Sequence, residues 1–217
     1  MMASEAQLIA RETAQDLIHL DEDALLARAL TGDDMAYGAL VLRLEPTVRR
    51  FVRRLIGQSW AEDDIVQDVF MSLYQHLDRI DPALGVRPYV FRMARNRSYD
   101  ELRRLGRYET VPIEEEPVEG YSAVSALEAP DAQPDDAAHW LMLQLEVREA
   151  MERLPEPQRQ ALILFAEEEL SYAEIAEVLG TNIGTVKSRL FHAKKTLRRL
   201  LRPETVQAIE SGLRDGA

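Results

Sequence analysis

Ser171-Tyr-Ala-Glu-Ile-Ala-Glu-Val-Leu-Gly180, a short turn, and then Thr185-Val-Lys-Ser-Arg-Leu-Phe-His-Ala-Lys-Lys-Thr-Leu-Arg-Arg199 is the stretch that decides the fold. Tyr172, Ile175, Ala176 and Leu179 recur at helical spacing, and Val186, Leu190, Ala193, Leu197 and Leu201 repeat it. Two short amphipathic helices therefore meet at Gly180, where a left-handed residue costs least, and Asn182 or Thr181 can cap the second. Small Ala176 at the crossing suits a close, angled pair, so the spacing predicts a helix-turn-helix. The second helix then turns outward Thr185, Ser188, Arg189, His192, Lys195 and Arg199. From Lys187 to Arg202 there are seven basic residues and no acid. Such a face suits phosphates and base edges. The alternative is a solvated basic face on an ordinary helical hairpin.

The formal net charge of −12 over 217 residues argues, as a total, against a nucleic-acid partner. Its distribution reverses that reading. Segments 1–23, 108–138 and 203–217 carry −5, −9 and −2, which leaves the two helical blocks at +4. A ligand in a groove meets the local field and not the total. There is no cysteine, which excludes disulfides, thiolate metal sites and cysteine nucleophiles, and four scattered histidines form no ligand cluster. No cofactor or metal is expected. No apolar run approaches a membrane span, and Glu5, Glu12 and Asp16 against Arg11 do not make a signal peptide. The expectation is a cytoplasmic protein without membrane insertion.

Tyr108 to Ala138 has four prolines, a Glu114-Glu115-Glu116 run and no sustained periodicity, so it reads as an extended acidic linker. The expected architecture is all-α: two small helical domains joined by that flexible linker, the second holding the helix-turn-helix. The boundaries expected are an N-terminal extension 1–20, a helical domain 21–107, a linker 108–137, a helix-turn-helix domain 138–202 and a tail 203–217.

In the first domain Gly32, Pro46, Gly57 and Pro82 punctuate the helices. Ser59-Trp-Ala-Glu62 has capping-box spacing and opens a helix expected to run to about Ile80. Its polar side sets Asp64, Gln67, Asp68, Met71 and Gln75 in one stripe that can meet a basic partner; a solvated face is the alternative. The next helix, about Pro88 to Leu105, puts Phe91, Ala94, Ser98, Leu102 and Leu105 on one face. Arg92, Arg95, Asn96, Tyr99 and Arg103 fall on the other. Arginines interleaved with aromatics suit single-stranded nucleic acid, since cations track phosphates and rings stack on unpaired bases. The alternative is that Tyr89 and Tyr99 complete the core.

Three motifs, in order, resemble a known family: Ala61-Glu-Asp-Asp-Ile-Val-Gln-Asp-Val-Phe70, Arg87-Pro-Tyr-Val-Phe-Arg-Met-Ala-Arg-Asn-Arg-Ser-Tyr-Asp-Glu-Leu-Arg-Arg104, and Leu154-Pro-Glu-Pro-Gln-Arg159 before the helix-turn-helix. They are similar to the bacterial RNA polymerase sigma factors of the sigma-70 family, specifically the small two-domain extracytoplasmic-function (ECF) group. The resemblance covers about residues 22 to 202. It implies that Asp64, Gln67, Asp68, Met71 and Gln75 dock on core RNA polymerase, at the clamp helices of its largest subunit. Promoter DNA is the second implied partner. Tyr89, Arg92, Arg95, Asn96, Tyr99 and Arg103 would hold the melted minus-ten element. Thr185, Lys187, Ser188, Arg189, His192, Lys195 and Arg199 would read the minus-thirty-five element as duplex, with Arg198, Arg199 and Arg202 mainly holding the backbone. Tyr89 stands where related sequences more often carry tryptophan. An anti-sigma factor is a further implied partner, and no catalytic residue is implied. The different-class alternative is a dimeric helix-turn-helix regulator acting without polymerase. A third is an adaptor using only the acidic helix face.

Overall fold

In the computed structural model the described residues are 17, 19–57, 60–82, 84–106 and 134–215. They are helical, and the chain divides into two compact units, Met1–Val111 and Pro112–Ala217.

The first unit contains α1 (Glu22–Leu30), α2 (Asp34–Ile56), α3 (Glu62–Gln75), a 3-10 turn at Leu77–Arg79 and α4 (Val86–Arg104). Asp21 caps α1 by accepting from Ala24 N at 2.8 Å. Asp33 caps α2 by accepting from the amides of Met35 and Ala36, both at 3.1 Å, and Arg28 Nε donates to its other oxygen at 2.8 Å. These bonds use amides that a helix start otherwise leaves unpaired. α2 packs against α1, α3 and α4. Leu40, Leu44, Val48, Phe51 and Val52 form its buried side, and Phe51 meets Phe91 of α4 edge to face at 5.2 Å.

Three expectations change here. Pro46 does not break a helix; it lies inside the continuous 23-residue α2. The carbonyl deprived of its amide partner is that of Leu42, which is exposed and within reach of water. The helix expected from Ser59 to Ile80 starts at Glu62, with Ala61 at the N-cap position and no side-chain cap. Ser59 itself is outside the described residues. Glu62 serves a different purpose from the expected capping box: it accepts from Arg53 Nε at 2.8 Å and Arg53 Nη2 at 2.7 Å, and Arg49 Nη1 lies at 3.4 Å. Beyond Gln75 the chain tightens into the 3-10 turn.

The second unit contains α5 (Pro134–Glu152), α6 (Glu156–Ala166), α7 (Tyr172–Leu179), α8 (Ile183–Leu200) and α9 (Pro203–Asp215). Ser171 and Glu174 form a reciprocal capping box at the start of α7, at 2.7 and 3.3 Å. Gly180 ends α7 in the left-handed region (φ 63°, ψ 41°), and Thr181 N returns to Ala176 O at 3.0 Å. Asn182 then caps α8 by accepting from Thr185 N at 2.8 Å. Ile163, Leu164, Ile175, Val178, Val186, Leu190 and Ala193 close the core between α6, α7 and α8.

Residues 203–215, expected as a tail, form α9, and α5 begins at Pro134, earlier than the expected 138. The expected linker falls mostly on residues outside the described ones, as does most of the expected extension 1–20. Leu17 is described, and it is buried. The start of α9 is held from α5. Glu146 accepts from Arg202 N at 2.7 Å, Arg202 Nε at 2.9 Å and Thr205 Oγ1 at 2.7 Å. A carboxylate at a helix N-terminus satisfies orphan amides and complements the helix dipole, so Glu146 acts as a cap supplied from another helix. Pro203 follows as a favourable first residue.

The Arg202 side chain, the Arg202 amide and the Thr205 hydroxyl together lower the Glu146 pKa to about 2. A depressed folded-state pKa gives stability that is present above the ordinary carboxylate pKa and is lost as pH falls through the folded value. Glu146→Gln is therefore expected to flatten the decline of thermal melting temperature between about pH 4.5 and pH 2. Melting curves of the two chains across that range measure it, and parallel declines would contradict the cap.

Candidate nucleic-acid interface

α4 is packed on by α1, α2 and α3 and buries more than half of its circumference, from Val86 and Val90 through Phe91, Ala94 and Ser98 to Tyr99. What is left outward is narrow. At 100° per residue, Tyr89, Arg92, Asn96 and Arg103 lie within about 60° of arc. Asn96 and Arg103 are exposed and Tyr89 and Arg92 are half-buried. Arg92 lies over the Tyr89 ring at 5.5 Å. Arg103 is bound to Asp100 one turn back.

Tyr99 does not join this arc. It is 3% exposed, and Arg95 lies over its ring at 5.1 Å, so Tyr99 belongs to the core and Arg95 covers it. Helical phase placed Tyr99 at the edge of the polar face, and packing by three neighbours widened the buried face past it. Sequence spacing gives Trp60 no role beyond a place inside Ser59-Trp-Ala-Glu62. Trp60 is 72% exposed, with Arg104 over its ring at 5.5 Å and Glu101 bonded to Arg104 twice at 2.7 Å.

On α3, Asp64, Gln67, Asp68, Met71 and Gln75 are all exposed. Their phase keeps them within about 100° of arc, and Tyr74, also exposed, extends it. Beside this stripe, α2 and α3 enclose a cleft of about 490 Å³ lined by Tyr37, Val41, Arg49, Phe70, Met71 and Tyr74 among others. The Tyr37 and Tyr74 rings meet edge to face at 4.9 Å. The Tyr37 hydroxyl donates to Phe70 O, and the Tyr74 hydroxyl donates to Asp34 Oδ1 at 2.9 Å. Burial raises the Tyr37 pKa to about 12, so its phenol remains protonated at neutral pH. The lining of this cleft is mostly apolar and aromatic, and its two carboxylates, Glu45 and Asp63, are both paired with Arg49. Tyr74 was legible at i+7 from Gln67, but a tyrosine at that spacing reads equally well as core.

On α8, Thr185, Arg189, His192, Lys195 and Arg199 fall within about 120° of arc, opposite Val186 and Leu190. Lys195 and Arg199 are exposed, and Thr185, Arg189 and His192 are half-buried. Two residues expected on this face depart from it. Ser188 is 1% exposed; helical phase does not register how deeply a short side chain sits among longer neighbours such as Phe191 and His192. Lys187 is turned toward α7, with its Nζ at 5.9 Å from the Tyr172 ring centroid. Two turns further along, Lys194 Nζ lies at 4.7 Å from the Phe165 ring, and burial lowers its pKa. Phe165 and Tyr172 stack at 5.6 Å. The two lysines thus hold α8 to its partner helices through cation–π contact. Arg202, expected among the backbone-binding arginines, is bound by Glu146.

Comparison with known proteins agrees with this layout. Residues 40–108 match the family Sigma-70 region 2, and residues 144–197 match the family Sigma-70, region 4. The ECF RNA polymerase sigma-E factor of Escherichia coli is 30% identical over 192 residues, covering 85% of this chain and 96% of that protein. The ECF RNA polymerase sigma factor SigW of Bacillus subtilis is 28% identical over 171 residues, covering 79% and 91%. Among solved structures, the sigma factor RpoE of Bartonella quintana, in complex with the anti-sigma factor NepR, is 27% identical. That likeness covers 74% of this chain and 92% of RpoE, with a TM-score of 0.52. The chain belongs to the ECF group of the sigma-70 family of RNA polymerase sigma factors. It is a transcription initiation factor. A dimeric regulator is not favoured, because it would account for residues 144–197 and leave 40–108 without a purpose.

The burial contrast on α4 gives a direct check by urea unfolding. Tyr99→Ala is expected to cost about 3 to 5 kcal/mol of stability, as for other buried aromatics, and Asn96→Ala to change it by less than about 0.5 kcal/mol.

Proposed function

We propose that this chain works without covalent chemistry of its own, by three separate contacts made in the cytoplasm. The α3 stripe of Asp64, Gln67, Asp68, Met71 and Gln75 docks on core RNA polymerase. The α4 arc of Tyr89, Arg92, Asn96 and Arg103 holds the opened minus-ten strand, with Arg95 at its margin. The α8 face of Thr185, Arg189, His192, Lys195 and Arg199 reads the minus-thirty-five duplex, with Lys187 at its flank. The observation that carries the reading is the pairing of five exposed α3 residues in one arc with an aromatic cleft beside them. An exposed acidic and amide stripe next to apolar surface has the composition of a protein interface, where rings anchor and charges steer. An anti-sigma partner is supported by the Bartonella relative's complex with NepR.

Selection arises from differential binding. Arg189 has the reach and the donor fork for a guanine edge, a pairing worth about 1 to 3 kcal/mol of discrimination. Capture of unstacked bases on α4 has to offset a few kcal/mol of unstacking, and stacking contributes about 1 to 3 kcal/mol per base. Separated readers on one chain make the distance between the two elements part of the code.

Reconstitution with core polymerase tests the docking contact. Asp64→Lys combined with Asp68→Lys is expected to weaken core affinity by at least about tenfold without lowering the melting temperature, because like charges would then face a basic partner. Unchanged affinity would contradict the assignment. Arg189→Ala is expected to cost about 1 to 3 kcal/mol at the preferred minus-thirty-five sequence and to flatten discrimination there, measured by competition between promoter variants.

A further inference from the structure

We infer that Glu146 is a positioning residue that withdraws Arg202 from the DNA-binding row of α8 and fixes where that row ends. The inference rests on the reading of α8 as the duplex-facing helix. The basic run of the sequence continues without interruption through Arg198, Arg199 and Arg202, so periodicity and charge give all three the same role. The structure separates them. α8 stops at Leu200, its last amide bond being Leu201 N to Leu197 O at 2.9 Å, and Leu201 is buried in an extended conformation. Arg198 and Arg199 lie within α8 and are exposed. Arg202 lies past the bend, where Glu146 receives its backbone amide at 2.7 Å, its Nε at 2.9 Å and its Nη2 at 2.8 Å.

This grip is more than a surface ion pair. An isolated exposed pair is readily exchanged for a phosphate, because each side chain moves independently. Here the acceptor is fixed by a backbone amide and by Thr205 Oγ1 at 2.7 Å, and Thr205 is fully buried. Glu146 itself is carried on α5, a separate helix from the one it restrains. Moving the Arg202 guanidinium to a phosphate would therefore break two charge-assisted contacts, at Nε and Nη2, to a carboxylate that the cap holds in place. The carboxylate also adds a negative charge beside the last turn of the reading helix, which trims sequence-independent attraction to DNA. The family match ends at residue 197, so both Arg202 and α9 lie beyond it.

The test uses the full chain, a short mixed-sequence DNA duplex labelled for anisotropy, and a salt titration. Each phosphate contact contributes about 0.9 to the slope of log affinity against log salt. Arg199→Gln is expected to lower the slope by about 0.9, and Arg202→Gln to leave it unchanged. Glu146→Gln is expected to steepen the slope by up to about 0.9, and adding Arg202→Gln to that variant to restore the original value. The restoration distinguishes release of Arg202 from the mere loss of a negative charge or of a cap. A slope lowered equally by Arg202→Gln and Arg199→Gln overturns the inference, as does a double variant that stays steep. An unchanged slope in Arg199→Gln would contradict the duplex-facing role of α8, and the inference with it.

Discussion

The contact between Glu62 and the pair Arg53 and Arg49 fixes the phase of α3, and the rest of the first unit follows from that phase. Val66, Val69, Phe70 and Leu73 supply most of the energy that joins α3 to its neighbours, at about 1.5 to 3 kcal/mol for each fully buried side chain. Apolar burial alone is tolerant of small rotations. The carboxylate is not, because it meets the Arg53 guanidinium through both oxygens and is itself nearly buried. Arg49 extends the network to Glu45 at 2.8 Å and to Asp63. With α3 set in this way, Asp64, Gln67, Asp68, Met71 and Gln75 face outward together. Arg53 and Arg49 hold the Glu62 carboxyl below its ordinary range, so the network remains charged at neutral pH.

α2 carries that constraint to the other surface. It touches α1, α3 and α4, and Phe51 against Phe91 ties it to the helix that bears Arg92 and Asn96. A continuous α2, unbroken at Pro46, therefore makes the exposed α3 stripe and the outward α4 arc parts of one arrangement. α8 meets the same requirement in the second unit. It must bury Val186, Leu190 and Ala193 and still present cations, and it does so with Lys187 and Lys194 against aromatic rings and Arg189, Lys195 and Arg199 on the outward side.

The parts legible in sequence are those set by local rules. Ser171 with Glu174, Gly180 and Asn182 behave as their spacing requires, because caps and left-handed turns are decided within four residues. The acidic stripe was legible because α3 packs along one side only. What was not legible depends on distant partners. Glu62 fits a capping box until Arg53 and Arg49, from the preceding helix, compete for its oxygens. Tyr99 fits a polar face until three helices close around α4. Residues 203–215 look like a tail because their anchor, Glu146, lies 56 residues before Arg202.

The central claim is that opening and duplex reading reside on separate helices of one chain. It is tested most directly by probing one promoter with holoenzymes carrying Asn96→Ala or Arg189→Ala. Permanganate reactivity reports opened thymines, and nuclease protection reports the minus-thirty-five element. At saturating holoenzyme, Asn96→Ala should lose permanganate reactivity and keep upstream protection; across a holoenzyme titration, Arg189→Ala should lose upstream protection at low concentration and regain opening as concentration rises. Equal loss of both signals in both variants would contradict the account.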